Sequence, residues 1–529
     1  MNKFLKLLLI FAGLALVASS CLKDLDTVPI DDDEATSAQV FDDPDSYKQI
    51  LARLYSGLAV SGQQGPSGNP DISGIDEGFS QYLRGYWYHQ ELTTYEAVIG
   101  WNDQTIKDFH YQQWGSSDVF IAAMYYRIFY QITACNEYIR ETTDGKLDDR
   151  GVSGALREEV EYFRAEARFL RALSYWHALD LFGNVPFVTE DDAIGAFFPA
   201  QINRADLFAY IESELLEIEN LLKGARENEY ARADQAAAWM LLAKLYLNAE
   251  VYTGVAKYTE CLTYCNKVIA AGYSLEPEYQ HLFLADNAYL NEVIFPITFD
   301  GMMTQTWGGT TFIIHAAVGG EMSPGDFGID GGWGGTRTTS ALVAKFSDVT
   351  GSTDKRAMFF TQGQELEIVD ISNFVEGYAI TKFKNVKRNG GPGSHLTHTD
   401  TDFPMFRLAD AYLMYAEAVL RGGTGGDAGT ALNYINELRE RAYGDASGNV
   451  AAGSLTLEFV LDERARELYW ECHRRTDLIR YGLLTGDQYL WQWKGNSKDG
   501  RGTESKYNLF PIPASDIGAN PNLQQNTGY

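Results

Sequence analysis

The sequence predicts a mainly α-helical fold: a tetratricopeptide-like helical-hairpin scaffold interrupted by a loop-rich, partly β insertion. Three observations predict it. Leu156–Phe182 carries two apolar stripes, Val160, Phe163, Ala167, Leu170 and Leu181 on one and Tyr162, Phe169, Leu173 and Trp176 on the other. Two stripes mean packing on two sides, as in stacked hairpins. Trp239-x2-Leu242-Ala243-x2-Tyr246 matches the opening of a tetratricopeptide repeat, with Ala for the usual Gly, and a second helical pattern follows it. Residues 276–405 then change texture, to short β-like runs among Gly-rich loops such as GIDGGWGGTRTTS.

In chain order, Lys3 and Lys6 precede the apolar run Leu7–Val17, and Ala18, Ser19 and Ser20 lead to Cys21. Residues 1–20 have the layout of a secretory signal, too short and wrongly flanked for a spanning helix. A Cys directly after small residues resembles a bacterial lipobox, with Ala18 where Leu is usual. Cys21 is therefore read as a lipid anchor. Residues 21–38 are acid-rich and form a spacer off the membrane. Residues 39–529 are read as a single domain. Its helical scaffold lies mainly over 39–60, 119–275 and 403–482, and its loop-rich ligand face mainly over 61–118 and 276–402.

Helices are expected over Phe41–Gly57, Val119–Arg140, Leu156–Phe182, Ala236–Ala249, Val255–Ala271 and Ala428–Tyr443. Gly183 and Pro186 stop the third of these. Ala236–Ala249 is apolar almost all round, hence buried, with Lys244 its only cation. Looser repeat patterns at Phe169–Trp176 and Tyr412–Val419 are unevenly spaced, so the repeat is degenerate. Glu292–Phe299, Thr310–His315 and Tyr378–Lys382 read as β-like. Glu463–Arg480 reads as one helix of alternating sign, laced by salt bridges.

A net charge of -29 and a pI of about 4.6 repel phosphate backbones and anionic lipid. Nucleic acid is excluded as a partner, and the membrane is reached through the lipid anchor alone. Cys135, Cys261, Cys265 and Cys472 form no C-x-x-C pair and read as small buried apolar residues. There is no HExxH, no G-x-S-x-G and no phosphate loop. His395-x-x-His398-x-Asp400-x-Asp402 has metal-ligand residue types, but its Gly/Pro/Thr setting reads as a solvated loop with an N-cap.

The aromatic stretch Asp71–Asp108 holds Tyr82, Tyr86, Trp87, Tyr88, Tyr95 and Trp101 off the spacing of a helix core. Flat faces beside Asp76, Arg84 and Asn102 suggest a surface for a ring-shaped polar ligand. Trp101, Trp307 and Trp333 each stand in a polar, glycine-bearing loop that leaves the indole uncovered. An exposed indole suits the C–H face of a pyranose, and nearby Arg, Asp and Asn can bond vicinal hydroxyls. The three form a site if they converge in space.

RFLRALSYWHALDLFGNVPF, DTDFPMFRLADAYLMYAEA, ERARELYWECHRRTDLIRYG, YLWQWKG and the C-terminal FPIPASDIGANPNLQQNTGY together make the chain, from Cys21 to Tyr529, resemble one family. This is the SusD/RagB family of nutrient-binding outer-membrane lipoproteins of Bacteroidetes, and the likeness is greatest to its starch-binding member. The resemblance implies a cell-surface, non-catalytic binder of a glycan or peptide that delivers it to a SusC-like TonB-dependent transporter. In the starch-binding member an arc of rings follows the curve of an α-1,4-glucan. By the same resemblance Trp101, Trp307 and Trp333 fall on the rings, and Asp76, Arg84 and Asn102 or Gln104 on the polar contacts with starch or a malto-oligosaccharide. Trp307 replaces a tyrosine, and Ile99-Gly100 stands where a second tryptophan would be. No cofactor is implied except calcium at an acid-rich loop near Asp286-Asn287, which is shortened here to DNAYLNE. The alternatives are another glycan or a peptide on the same frame, a surface glycosidase, or a purely structural role beside a transporter.

Overall fold

The computed structural model describes residues 40–103, 105–193, 195 and 197–529. The signal, Cys21 and the spacer lie outside them. The chain begins with α1 (Ser46–Ala59) and α2 (Tyr82–Trp87), and α2 runs directly into a π turn, Tyr88–Leu92. The long helices follow: α3 (Val119–Glu141), α4 (Gly154–Leu181), α5 (Arg204–Ile218), α6 (Gln235–Leu247) and α7 (Tyr258–Ala270). The insertion contributes α8 (Gly309–Ala316). After it come α9 (Leu408–Leu420), α10 (Ala428–Tyr443), α11 (Leu457–Leu468) and α12 (Arg474–Arg480). Asp118, Asn203, Asp234 and Asp427 start α3, α5, α6 and α10 by accepting from free backbone N–H groups of the first turn.

Neighbouring helices pack in pairs. α3 lies on α4, α4 on α5, α6 on α7, and α9 on both α7 and α10. Both predicted stripes of α4 are buried except at Tyr162. α6 is buried nearly all round, and its Lys244 pairs with Asp410 of α9. All four described cysteines are buried and free, with the sulfurs of Cys261 and Cys265 3.9 Å apart. Among the described residues no helix is long and apolar enough to cross a membrane.

Strands are short. β1 (Val98–Ile99), β2 (Val293–Ile297), β3 (Thr336–Arg337) and β4 (Phe403–Arg407) form two antiparallel ladders, β1 with β3 and β2 with β4. β4 continues straight into α9, so the insertion is tied to the scaffold at Arg407.

Three expectations need correction. The rings Tyr82, Tyr86, Trp87, Tyr88 and Tyr95 are buried core, not surface. Every residue from Ser80 to Gly100 is buried, so the segment is enclosed on all sides and its rings need keep no one-sided spacing. Thr310–His315 is helix α8 rather than strand, because a short, fully buried apolar run shows no period. Glu463–Arg480 is two helices, parted where Trp470 and Cys472 take left-handed backbone angles (φ 65° and 66°). Trp470 turns away to dock edge-on against Trp87 (5.2 Å) and donates its indole N–H to the carbonyl of Glu96 (2.9 Å).

Scaffold and insertion meet in a buried ionic network. Arg407 contacts Glu292 (2.8 Å), Glu467 (2.7 Å) and Glu471 (2.6 Å). Arg441 reaches Glu292 and Glu467, and Arg356 reaches Asp354, Glu463 and Glu467. Burial alone would raise the Glu467 carboxyl, but Arg441, Arg407 and Arg356 hold it far below the usual carboxylate range. Glu91 and Glu96 are buried too, and accept from the backbone N–H groups of Cys472 (2.6 Å) and Trp470 (3.3 Å). Burial raises both, Glu96 from its ordinary 4.5 to about 7.

Two stability predictions follow from these groups. Glu467→Gln removes the carboxylate that three buried guanidinium groups share, leaving each with fewer anionic partners, and chemical denaturation should show a loss of about 3–5 kcal/mol. The Glu96 carboxyl binds its proton more tightly folded than unfolded, so its contribution is full below pH 4.5 and fades as pH rises through about 7. Glu91 is raised beside it, so stability should fall across that range as the pair loses its protons, and Glu96→Gln should reduce the slope.

Candidate functional site

The three tryptophans converge. The ladder of β1 and β3 pairs Val98 with Arg337 and Ile99 with Thr336, and the Gly100 N–H extends it to the carbonyl of Gly335 (2.9 Å). The loops bearing Trp101 and Trp333 therefore leave one short ribbon together. Arg337 lies buried beneath and donates to the carbonyls of Glu376 (2.8 Å) and Ile371 (2.9 Å).

The Trp333 loop sits on the C-terminal end of α8, whose last carbonyls need donors. The N–H groups of Trp333, Gly334 and Gly335 donate to His315, Val318 and Ala316 at 2.8, 2.9 and 2.8 Å. Glycine is required by this closeness. A Cβ on Gly332 would lie 2.2 Å from the carbonyl oxygen of Val318, and one on Gly335 would lie 2.6 Å from the Trp101 indole.

Trp307 is held from the other end of α8. The buried Glu77 carboxylate accepts from the Trp307 N–H (2.9 Å) and the Thr306 hydroxyl (2.8 Å). Gln81 Oε1 accepts from the N–H of Gly309 (2.8 Å) and of Arg84 (2.7 Å), so the start of α2 positions the start of α8. The Trp307 indole donates to the carbonyl of Pro66 (3.2 Å) and that of Trp101 to the carbonyl of Trp333 (3.2 Å).

Trp333 lies between the other two rings, 6.2 Å from Trp101 at 45° and 6.1 Å from Trp307 at 55°. Each ring is thus tilted against the next, and all three are half-buried. His315 stacks on Trp333 at 4.8 Å, and His398 lies beside Trp307 at 4.9 Å. Burial holds both imidazoles below their ordinary range, which favours the neutral form.

The predicted polar residues fall in different places. Asp76 is exposed and accepts from the Gly78 N–H (2.9 Å). Asn102 is exposed, and its carbonyl accepts from Lys107 (2.6 Å), which also reaches Ser372 (2.6 Å). Arg84 is only 4% exposed. Its guanidinium lies 4.1 Å from Phe79 and 4.4 Å from Phe312, and donates to Tyr88 (2.7 Å) and to the carbonyl of Trp307 (2.9 Å). It braces the rings from beneath. Gln104 lies outside the described residues. Ile99 is fully buried and adds no ring to the surface.

Sequence reasoning passed over His315, Glu77 and Lys107, which no motif distinguishes. His398 has the residue type of a metal ligand, yet it packs on Trp307. Strand β4, not a helix, follows its loop. Asp400 accepts from Ser394 and from the Gly301 N–H, and Asp402 from Tyr230 and the Phe299 N–H. Among the described residues no cluster of three His, Cys, Asp or Glu side chains is placed to hold a metal. Asp286 is paired with Arg388 (3.1 Å), and Asn287 bonds the backbone of Asp402.

Residues 347–529 match the SusD family. The chain is 36% identical to the starch-binding protein SusD of Bacteroides thetaiotaomicron, over the whole of both chains. It is 26% identical to the SusD-like protein P25 of Formosa agariphila, over 72% of this chain and 76% of that one. Among solved structures, a SusD superfamily protein of Parabacteroides distasonis superposes with a TM-score of 0.71 at 22% identity, covering 94% of this chain and 100% of that one. Surface glycan-binding protein A of B. thetaiotaomicron, in complex with laminarihexaose, gives 0.69 at 20% identity, over 91% of this chain and 99% of that one.

Gly335→Ala forces the Trp101 ring aside. Denaturation should show a loss of about 1–3 kcal/mol together with a red-shifted tryptophan emission. Gly331→Ala, whose Cβ would meet nothing within 4 Å, should change neither.

Proposed function

The chain belongs to the SusD family, and we propose that it binds starch or malto-oligosaccharide at the cell surface and passes it, unaltered, to a SusC-like TonB-dependent outer-membrane transporter. The observation that carries this reading is the arc of Trp101, Trp333 and Trp307, three half-buried rings about 6 Å apart and successively tilted. A flat ligand meets one such face at a time, whereas a chain of pyranoses that curves meets all three. The relative at 36% identity is itself a starch-binding protein, which supports the choice of glycan. Asp76 and Asn102, both exposed, are assigned the hydroxyl contacts, with Gln104 as the alternative to Asn102. Arg84 acts through the rings it braces. Cys21 is assigned the lipid anchor that holds the protein at the outer membrane.

Stacking on one ring contributes about 1 kcal/mol beyond area burial, so the rings must act together. Affinity electrophoresis in amylopectin should retard the wild type, and Trp101→Ala should weaken that binding on the order of tenfold. Unretarded wild type, or full retention by the variant, would refute the site. Incubation with maltoheptaose should release no reducing ends. Retention on laminarin in place of amylopectin would assign the arc to another glycan.

A further inference from the structure

A second aromatic platform lies away from the arc, beside β2. Tyr289 is 79% exposed and stands in the left-handed region (φ 63°), where a bulky side chain is rare. It rests on Tyr230, with ring centroids 4.3 Å apart at 32°. The inner ring is pinned, because the Tyr230 hydroxyl donates to the buried Asp402 carboxylate at 2.7 Å. One face of Tyr289 is thus supported by a fixed ring while most of its surface is open to water. Core packing does not account for a ring held in this way.

Beside this pair opens a cavity of about 220 Å³, with Tyr273, Asn228, Asn291, Glu229 and Arg226 in its lining and Ile294 among its apolar contacts. The Arg226 guanidinium lies 5.6 Å from the centre of the Tyr273 ring. A second cavity, of about 290 Å³, shares Glu229–Arg232 and Pro296 as its wall and reaches Thr304, three residues before Trp307. On the turn between Thr298 and Thr304, Met302 and Met303 are 58% and 83% exposed.

We infer that the Tyr289–Tyr230 pair and the cleft beside it form an accessory glycan subsite that takes a pyranose remote from those on the tryptophan arc. The chemistry is that of a sugar ring. An aromatic face covers the C–H side, and planar amide, carboxylate and guanidinium groups answer the hydroxyl edge. Two anionic and two cationic side chains line the 220 Å³ cavity, Glu229 and Asp234 against Arg226 and Arg232, so phosphate finds no net positive field there. The inference rests on the glycan-binding reading above. A polymer long enough to reach both places gains avidity that a short oligosaccharide cannot.

The test compares maltotriose and amylopectin on wild type, Tyr289→Ala, Trp101→Ala and the double variant. Tyr289→Ala should leave maltotriose affinity by calorimetry unchanged and reduce amylopectin retention about three- to tenfold. The residual retention of Trp101→Ala should vanish in the double variant. Tyr289→Gly removes the ring and suits the left-handed backbone, so an unchanged or raised melting temperature with reduced retention separates binding from folding. Amylopectin retention equal to wild type in both Tyr289 variants would overturn the subsite alone. A wild type that binds neither ligand would overturn the subsite and the functional reading together.

Discussion

The rest of the structure depends on the pairing of charges that have no access to water. Arg407, Arg441, Arg356, Glu292, Glu463, Glu467 and Glu471 are all buried, and an isolated ion there would cost several kcal/mol. Each must meet a partner at hydrogen-bond distance, and the partners come from β4, α10, α11 and the segments around Glu292, Arg356 and Glu471. Such a network contributes less to net stability than an apolar core of equal volume would. Its consequence is positional. A shift of any one element by a residue would leave a guanidinium or a carboxylate unmatched, so the helical scaffold and the insertion share one register.

That register is passed on to the site in steps. β2 is laddered to β4, which enters α9 through Arg407. Just before β4, Asp402 holds the Phe299 N–H and Asp400 the Gly301 N–H, and so fixes the turn that leads to Trp307. Glu77 and Gln81 then seat Trp307 and the first turn of α8, and the last carbonyls of α8 seat the Trp333 loop. The ladder of β1 and β3 adds Trp101. Trp101 and the two rings more than two hundred residues further on are thereby placed together by backbone hydrogen bonds and buried carboxylates.

How much of this was legible in the sequence depended on period. The two stripes of α4 and the apolar circumference of α6 exceed one face, and each is a helix packed on more than one side. The aromatic stretch defeated the same reasoning because Ser80–Gly100 is buried on all sides, and a fully enclosed segment shows no one-sided period. Trp470 hid a break in a charge-patterned helix for a different reason: the residue that ends it is bound to Trp87 and Glu96, far away in sequence. Glycines beside Trp307 and Trp333 suggest uncovered indoles, but the rings are half-buried, with His315 stacked on Trp333, and the glycines serve close backbone approach instead. Convergence of the three indoles is a tertiary fact that no spacing encodes. Nor could sequence say that Arg84 lies beneath the rings.

The tilt between neighbouring indoles, 45° and 55°, bears on what the arc selects. Stacking is tolerant of chemistry, and one ring accepts the apolar face of many sugars. On the proposed reading, three rings with fixed tilts suit a chain whose successive faces turn by comparable amounts. The tilts are set by contacts that no ligand supplies: the indole N–H of Trp101 is committed to Trp333, that of Trp307 to Pro66, and His315 supports Trp333 from one side. Because these groups are satisfied before any sugar arrives, little ordering entropy remains to be lost on binding. On that reading selection by curvature would follow from fixed placement, to which the glycines that let the loops lie close to α8 and to Trp101 contribute.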